Sequence, residues 1–123
     1  MAKSVHNDVL DAALELVKDN ATRMTICSAQ PTTFTEADDT FALAEVTMAA
    51  EDFTLADDVS GRKLDVAAKN AVPVDTSGTS NHCALLDVAN SKLLYVTTFT
   101  SQGLTSGNTV NIGTWKINIQ DPT

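Results

Sequence analysis

Residues 81–121 read NHCALLDVANSKLLYVTTFTSQGLTSGNTVNIGTWKINIQD. Four short runs stand out, NHCALLDV, KLLYVTTFT, NTVNI and TWKINIQ, separated by Asn-Ser, Ser-Gln-Gly, Ser-Gly and a lone glycine. β-Branched and aromatic residues in short runs, broken by turn-forming residues, describe antiparallel strands with short connections. The pattern carries one further instruction. Val110 and Ile112 are apolar on even positions, whereas Trp115, Ile117 and Ile119 are apolar on odd ones, with Gly113 between. Strand side chains alternate strictly, so a change of parity demands a bulge or bend at Gly113, passing the segment between two sheets or around a barrel corner.

Working outward, Arg62 to Lys69 alternates again, Leu64, Val66 and Ala68 inward and Lys63, Asp65 and Lys69 outward, after a turn at Asp57-Asp58-Val59-Ser60-Gly61. Pro73 ends that strand or lies at a sheet edge, because proline cannot donate to a ladder. A second parity change, from Val46 and Met48 to Phe53 and Leu55, places a bulge or turn at Ala49 to Asp52. Arg23 to Ser28 is a strand. Phe41 to Ala44 reads as a short helical turn, and residues 29–40 and 75–81 read as polar surface loops.

Residues Ser4 to Asp19 form the one helix, with Val5, Val9, Ala12, Ala13, Leu16 and Val17 as its apolar stripe and Leu10 and Leu14 beside it. Ser4 or Asn7 caps its start, Asp8, Asp11 and Lys18 complement its dipole, and Asn20 supplies a left-handed stop. The stripe is wider than packing on one side of a sheet requires, so either the helix is well buried in its own domain or part of it meets a neighbour. The fold expectation is one domain, a helix over residues 1–20 and a jelly-roll-like antiparallel β-sandwich of seven or eight strands over 21–123.

The chain has 123 residues, enough for one core, and is 43% apolar but only 5% aromatic, so that core is aliphatic. Seventeen threonines favour sheet over helix. A net charge of −8, with Lys and Arg dispersed, argues against binding to nucleic acid or to an anionic membrane; an acidic skin first of all keeps a protein soluble, and it would also suit a partner with a basic surface. No apolar run is long enough to span a bilayer, and the acidic N-terminus lacks the apolar centre of a signal peptide. The protein is expected to mature in a cytoplasm.

Candidate chemistry is sparse. His82 and Cys83 are adjacent in a strand, so their side chains point to opposite faces and the histidine does not activate the thiol. Cys27 and Cys83 read as small buried apolar residues rather than a disulfide. The pairs Asp38-Asp39, Glu51-Asp52 and Asp57-Asp58 lack the alternating oxygen ligands of a calcium loop. Trp115 and Tyr95 read as core residues rather than a sugar platform. No phosphate loop or hydrolase motif occurs, so the expectation is a protein that is not an enzyme and carries no cofactor or metal.

The pattern His82-x-Ala84-Leu85-x-Asp87, then Lys92-Leu93-Leu94-Tyr95-Val96-Thr97, then Leu104-Thr105-Ser106-Gly107-Asn108-Thr109-Val110, closing on Trp115-x-Ile117-x-Ile119, resembles small structural proteins of tailed-phage virions. The stretches Asn7 to Leu14 and Cys27 to Thr33 carry the same resemblance. What it implies is a capsid decoration or cement protein, homo-oligomeric on the particle, bound to the major capsid protein or other virion proteins. A neck, tail or fibre-associated subunit is the alternative. A carbohydrate- or receptor-binding module, working through the loops at 32–40 and 75–81, is another. For the structural reading the expected contact residues are Val5 and Val9 of the helix, Phe34, Glu36, Asp38 and Asp39 of the acidic loop, and Gln120 and Asp121 of the tail.

Overall fold

The computed structural model describes residues 3–122. One helix, α1 (Asn7–Asn20), precedes nine strands: β1 (Arg23–Cys27), β2 (Ala42–Thr47), β3 (Phe53–Asp57), β4 (Arg62–Val66), β5 (Lys69–Pro73), β6 (Gly78–Asp87), β7 (Lys92–Leu104), β8 (Thr109–Ile112) and β9 (Trp115–Ile119). All named pairings are antiparallel. They form three open sheets of order β2-β1-β6-β7, β3-β4-β9 and β5-β8, and an isolated bridge between Ala44 and Val74 links the first to the third. The protein is therefore mainly β with one N-terminal helix, and its strand pairing leaves sheet edges free.

One hydrophobic cluster draws on α1 and all three sheets, with Leu14, Met24, Phe53, Leu64, Leu85 and Val72 among its buried members. Few of these side chains are aromatic, as the composition requires. A second, smaller cluster, Ala37, Ala84 and Leu86 with Phe34 and Leu93 against it, lies on the other face of the four-stranded sheet. Strands β1 and β6 are covered on both sides for this reason, and four of the five residues of β1 are buried.

Both parity changes are physical. The first is a 3₁₀ turn at Ala50–Asp52, where the Ala49 N–H donates to Asp52 Oδ2 at 2.8 Å. The second carries the chain from β8, paired with β5, to β9, paired with β4, across Gly113. A Cβ added at Gly113 would meet nothing within 4 Å, so the corner comes from the parity change and does not need a glycine. Gly61 is different. It closes the β3–β4 hairpin at φ +76°, and a Cβ there would fall 1.9 Å from the Ile119 carbonyl oxygen.

Several expectations are corrected. Ala42–Thr47 is a strand, not a helical turn, because it forms the edge ladder of β1. Residues 29–40 are not a surface loop throughout: Pro31 and Ala37 are buried, and Glu36–Thr40 forms a π-helical turn over the sheet. The alternation expected to run to Lys69 stops at Val66, and Ala68 is exposed. Pro73 ends a separate strand, β5, in which Ala71 takes a left-handed φ of 54° where the register slips. Residues 78–81 open β6, and the Ser-Gln-Gly expected as a separator lies inside β7.

The helix begins at Asn7 with His6 as its cap, Nδ1 accepting the Asp8 N–H at 3.1 Å, in place of Ser4 or Asn7. Asn20 ends it without a left-handed turn, its side-chain amide donating to the Leu16 carbonyl at 2.7 Å. The face turned to the core is Leu10, Leu14 and Val17. At about 1.5–3 kcal/mol for each fully buried aliphatic side chain, these three hold the helix down. Val9, Ala12, Ala13 and Leu16 are exposed, which inverts most of the expected stripe.

Candidate functional site

Three places hold chemistry, and they differ in how far their polar groups are already engaged. The first is the ionic end of the molecule, where α1 meets the β3–β4 hairpin. Arg62 donates a fork to Asp11, Nε to Oδ1 at 2.8 Å and Nη2 to Oδ2 at 3.3 Å, and Nη1 reaches Asp57 Oδ1 at 2.8 Å. Asp58 accepts from Lys116 Nζ at 2.7 Å, from Asn118 Nδ2 at 2.9 Å and from the Val59 N–H at 2.8 Å. The Lys116 hydrogen bond is the main reason its carboxyl sits below the usual carboxylate range. Burial pushes Asp52 up, but the Ala49 N–H and the Lys69 ammonium at 3.0 Å outweigh it and hold the acid below its ordinary value. These acids fasten the fold, and among the described residues no group of three His, Cys, Asp or Glu is placed to hold a metal.

The second is the exposed face of α1. Val9 is 63% and Leu16 55% exposed, with Ala12 and Ala13 between them and Val5 partly exposed one turn earlier. At 100° per residue these positions share one side of the helix, and Asp8, Glu15 and Asp19 line its flank. The result is an apolar stripe with an acidic border and, among the described residues, no covering element. Of the expected contact residues, Val9, Asp39, Gln120 and Asp121 are exposed. Asp121 also accepts the Gly61 N–H at 3.1 Å. Phe34 packs against the smaller cluster, Glu36 accepts from the Thr32 N–H and hydroxyl, and Asp38 accepts from Arg23 Nη1 at 2.6 Å. The structure does not gather these residues at one place. The loop at 34–39 covers the face of the four-stranded sheet opposite the one that packs on α1.

The third is a recess of ≈ 310 Å³ between the outer half of β7 and the β8–β9 corner. Thr97, Thr98, Phe99, Gln102, Asn111, Thr114 and Trp115 line it, and it reaches down to Ile26 and Cys83 of the core. Trp115 stacks on Tyr95 with centroids 5.9 Å apart and planes 24° apart. Both rings pack against the main core, yet they remain partly exposed. The Trp115 indole N–H is buried and has no hydrogen-bond partner. A wider groove of ≈ 460 Å³ lies on the other side of Trp115, bordered by Asp52, Asp65 and Lys116.

His82 and Cys83 do diverge. Cys83 lies in the main core, while His82 Nδ1 meets Asn81 Oδ1 at 2.6 Å. Burial pushes the Cys83 thiol up to about 12 and raises Cys27 as well, so neither is a thiolate at neutral pH. Both cysteines are free. Sequence reading missed the recess because its lining comes from five strands, and its one signal was the aromatic residue beside the Gly113 corner. Among the described residues no helix is long and apolar enough to cross a membrane. The chain matches no family model, no curated protein and no solved structure among those searched.

Proposed function

We propose that this protein is a structural component of a tailed-phage virion, a decoration or cement protein that binds the outside of the head and holds neighbouring capsid subunits together. One observation carries the reading beyond the sequence resemblance: α1 spends only Leu10, Leu14 and Val17 on its own core and leaves Val9, Ala12, Ala13 and Leu16 bare beside Asp8, Glu15 and Asp19. An apolar stripe with an acidic border fits a partner that is apolar and basic, such as a cationic ridge of a shell. Its own copy fits poorly. In an antiparallel two-fold pair of these helices the same flank faces itself, setting acid against acid.

The three sheets are read as a jelly-roll-like sandwich, supported by the single core they share. The role is association, without catalysis or cofactor, and the site of action is the particle. A neck or tail position uses the same helix face in a ring.

The test is addition of the purified protein to heads that lack it. Saturable binding at a fixed number of copies per shell, with greater heat resistance, is expected. Leu16→Asp should abolish it and leave the free protein folded. Binding that ignores Leu16→Asp, or no binding to heads at all, would remove the decoration reading.

A further inference from the structure

We propose that the recess beside Trp115 is a binding site for a neutral sugar ring. The inference does not depend on where the protein acts.

The size sets the scale. At ≈ 310 Å³ the recess is at the lower end of small-molecule sites, ~300–1,000 Å³, which suits one ring rather than a chain. The lining then sets the chemistry. Between Lys92 and Lys116 the sequence has no Asp, Glu, Lys, Arg or His, although a fifth of all residues are charged. The one cation at the edge, Lys116, is held by Asp58 at 2.7 Å. A phosphate, a carboxylate or a metal ion would find no opposite charge to recognise it.

What the recess offers instead is neutral hydrogen bonding that the fold has not used. The side chains of Thr97, which pairs with the recess residue Cys83, and of Gln102 and Thr114 make no hydrogen bond to other described residues. Asn111 gives its Oδ1 to the Ala71 N–H at 2.8 Å and keeps its Nδ2 free. At the ionic end, by contrast, the longer polar side chains are engaged, as the Arg62 and Asp58 networks show. Hydroxyls and amides that both donate and accept are the complement of a polyol, whose hydroxyls do the same. The aromatic residues complete the match. Phe99 is 37% exposed, and Trp115 is fixed in orientation by Tyr95 behind it. A pyranose presents C–H faces to flat apolar surfaces and O–H groups at its rim, and this recess combines the two kinds of lining.

The chain contains one tryptophan, so the site has its own reporter. Glucose, galactose and N-acetylglucosamine are titrated separately into the full chain while Trp115 emission is followed, with glucuronate and glucosamine as charged counterparts. Expected is a saturable change for at least one neutral sugar with a dissociation constant near ~1 mM, and weaker binding of the charged forms. The double variant Gln102→Ala/Asn111→Ala should weaken binding about tenfold, the loss of roughly one good hydrogen bond. Thr97→Val, a nearly isosteric change, checks the same point should the double variant fold poorly. No saturable change with any neutral sugar up to ~10 mM would overturn the proposal. So would tighter binding of a charged form, or binding that both variants leave intact.

Discussion

The ionic end, where α1 meets the β3–β4 hairpin, and the uncharged corner, where β7 meets β8 and β9, use polar side chains in opposite ways. At the ionic end each acid has a job: Asp11 and Asp57 hold Arg62, Asp58 holds Lys116 and Asn118, and Asp121 holds the Gly61 N–H. At the corner the side chains of Thr97, Gln102 and Thr114 are unspent, although Asn111 Oδ1 accepts the Ala71 N–H and the Ser80 hydroxyl donates to the Gln102 carbonyl. Polar groups engaged inside a fold are part of its stability, whereas unengaged ones in a concavity are available to something else. The sharpest consequence is that substitutions at the ionic end should cost stability, and polar substitutions at the corner should not.

Gly61→Ala should have the largest effect. It combines a left-handed φ with a Cβ placed 1.9 Å from a backbone oxygen, and backbone cannot yield as a flexible side chain would. Strain plus overpacking put the loss at ~3 kcal/mol, readable as a lower midpoint in urea with little change in slope. A loss below ~1 kcal/mol would mean the hairpin end adjusts freely, and the comparison would lose its rigid half. Next comes Arg62→Met, which keeps most of the packing stem while releasing Asp11 and Asp57. Thermal unfolding should occur a few degrees lower. The difference should shrink in concentrated salt, which already screens the pair in the parent protein. An equal loss at all salt concentrations would assign the effect to packing.

Acid should act on the same end. Asp52 and Asp58 both have folded pKa values below the unfolded value of 3.8. Their contribution is therefore fully present above that value and is lost as pH falls from it through the folded values. The thermal midpoint should change little between pH 7 and about 5 and drop below about 4. Lys116→Met should make that drop shallower, because it removes the main reason the Asp58 acid is depressed. A midpoint that falls steadily from neutral pH would point to other groups.

How much of this was legible in the sequence follows from which residues carry periodic information. The two parity changes located the turn at Ala50–Asp52 and the corner at Gly113, because alternation is a local geometric rule. The helix was legible in extent but not in orientation. Val5, Val9, Ala12 and Leu16 repeat at helical spacing, and so do Leu10, Leu14 and Val17. Two stripes on one helix leave the choice to tertiary packing, which took the second. Phe41 to Ala44 looked helical because its alanines favour helix, and the pairing of β2 with β1 overrode that preference. The turn over Ala37 was hidden among polar residues, and only the closed second face of β1 and β6 explains it. The recess was illegible for a related reason. Thr98, Asn111 and Trp115 come together through strand topology rather than spacing.

The smallest effects should come from the corner, and they decide whether its groups are truly unspent. Trp115→Phe removes apolar area but also removes a buried N–H that has no acceptor. The lost area costs ~1–2 kcal/mol, and the relieved donor returns ~1–3 kcal/mol, so the net change should stay within ~1 kcal/mol of zero in either direction. A large loss would show that the indole N–H is bonded in solution. Thr97→Val goes further, because its hydroxyl has no partner to lose and its side chain keeps its shape. Chemical denaturation should place it within ~0.5 kcal/mol of the parent. If such a silent change in stability also weakens sugar binding, the hydroxyl was free for a ligand. If it lowers stability by more than ~1 kcal/mol, that hydroxyl belongs to the fold, and the corner is built like the ionic end after all.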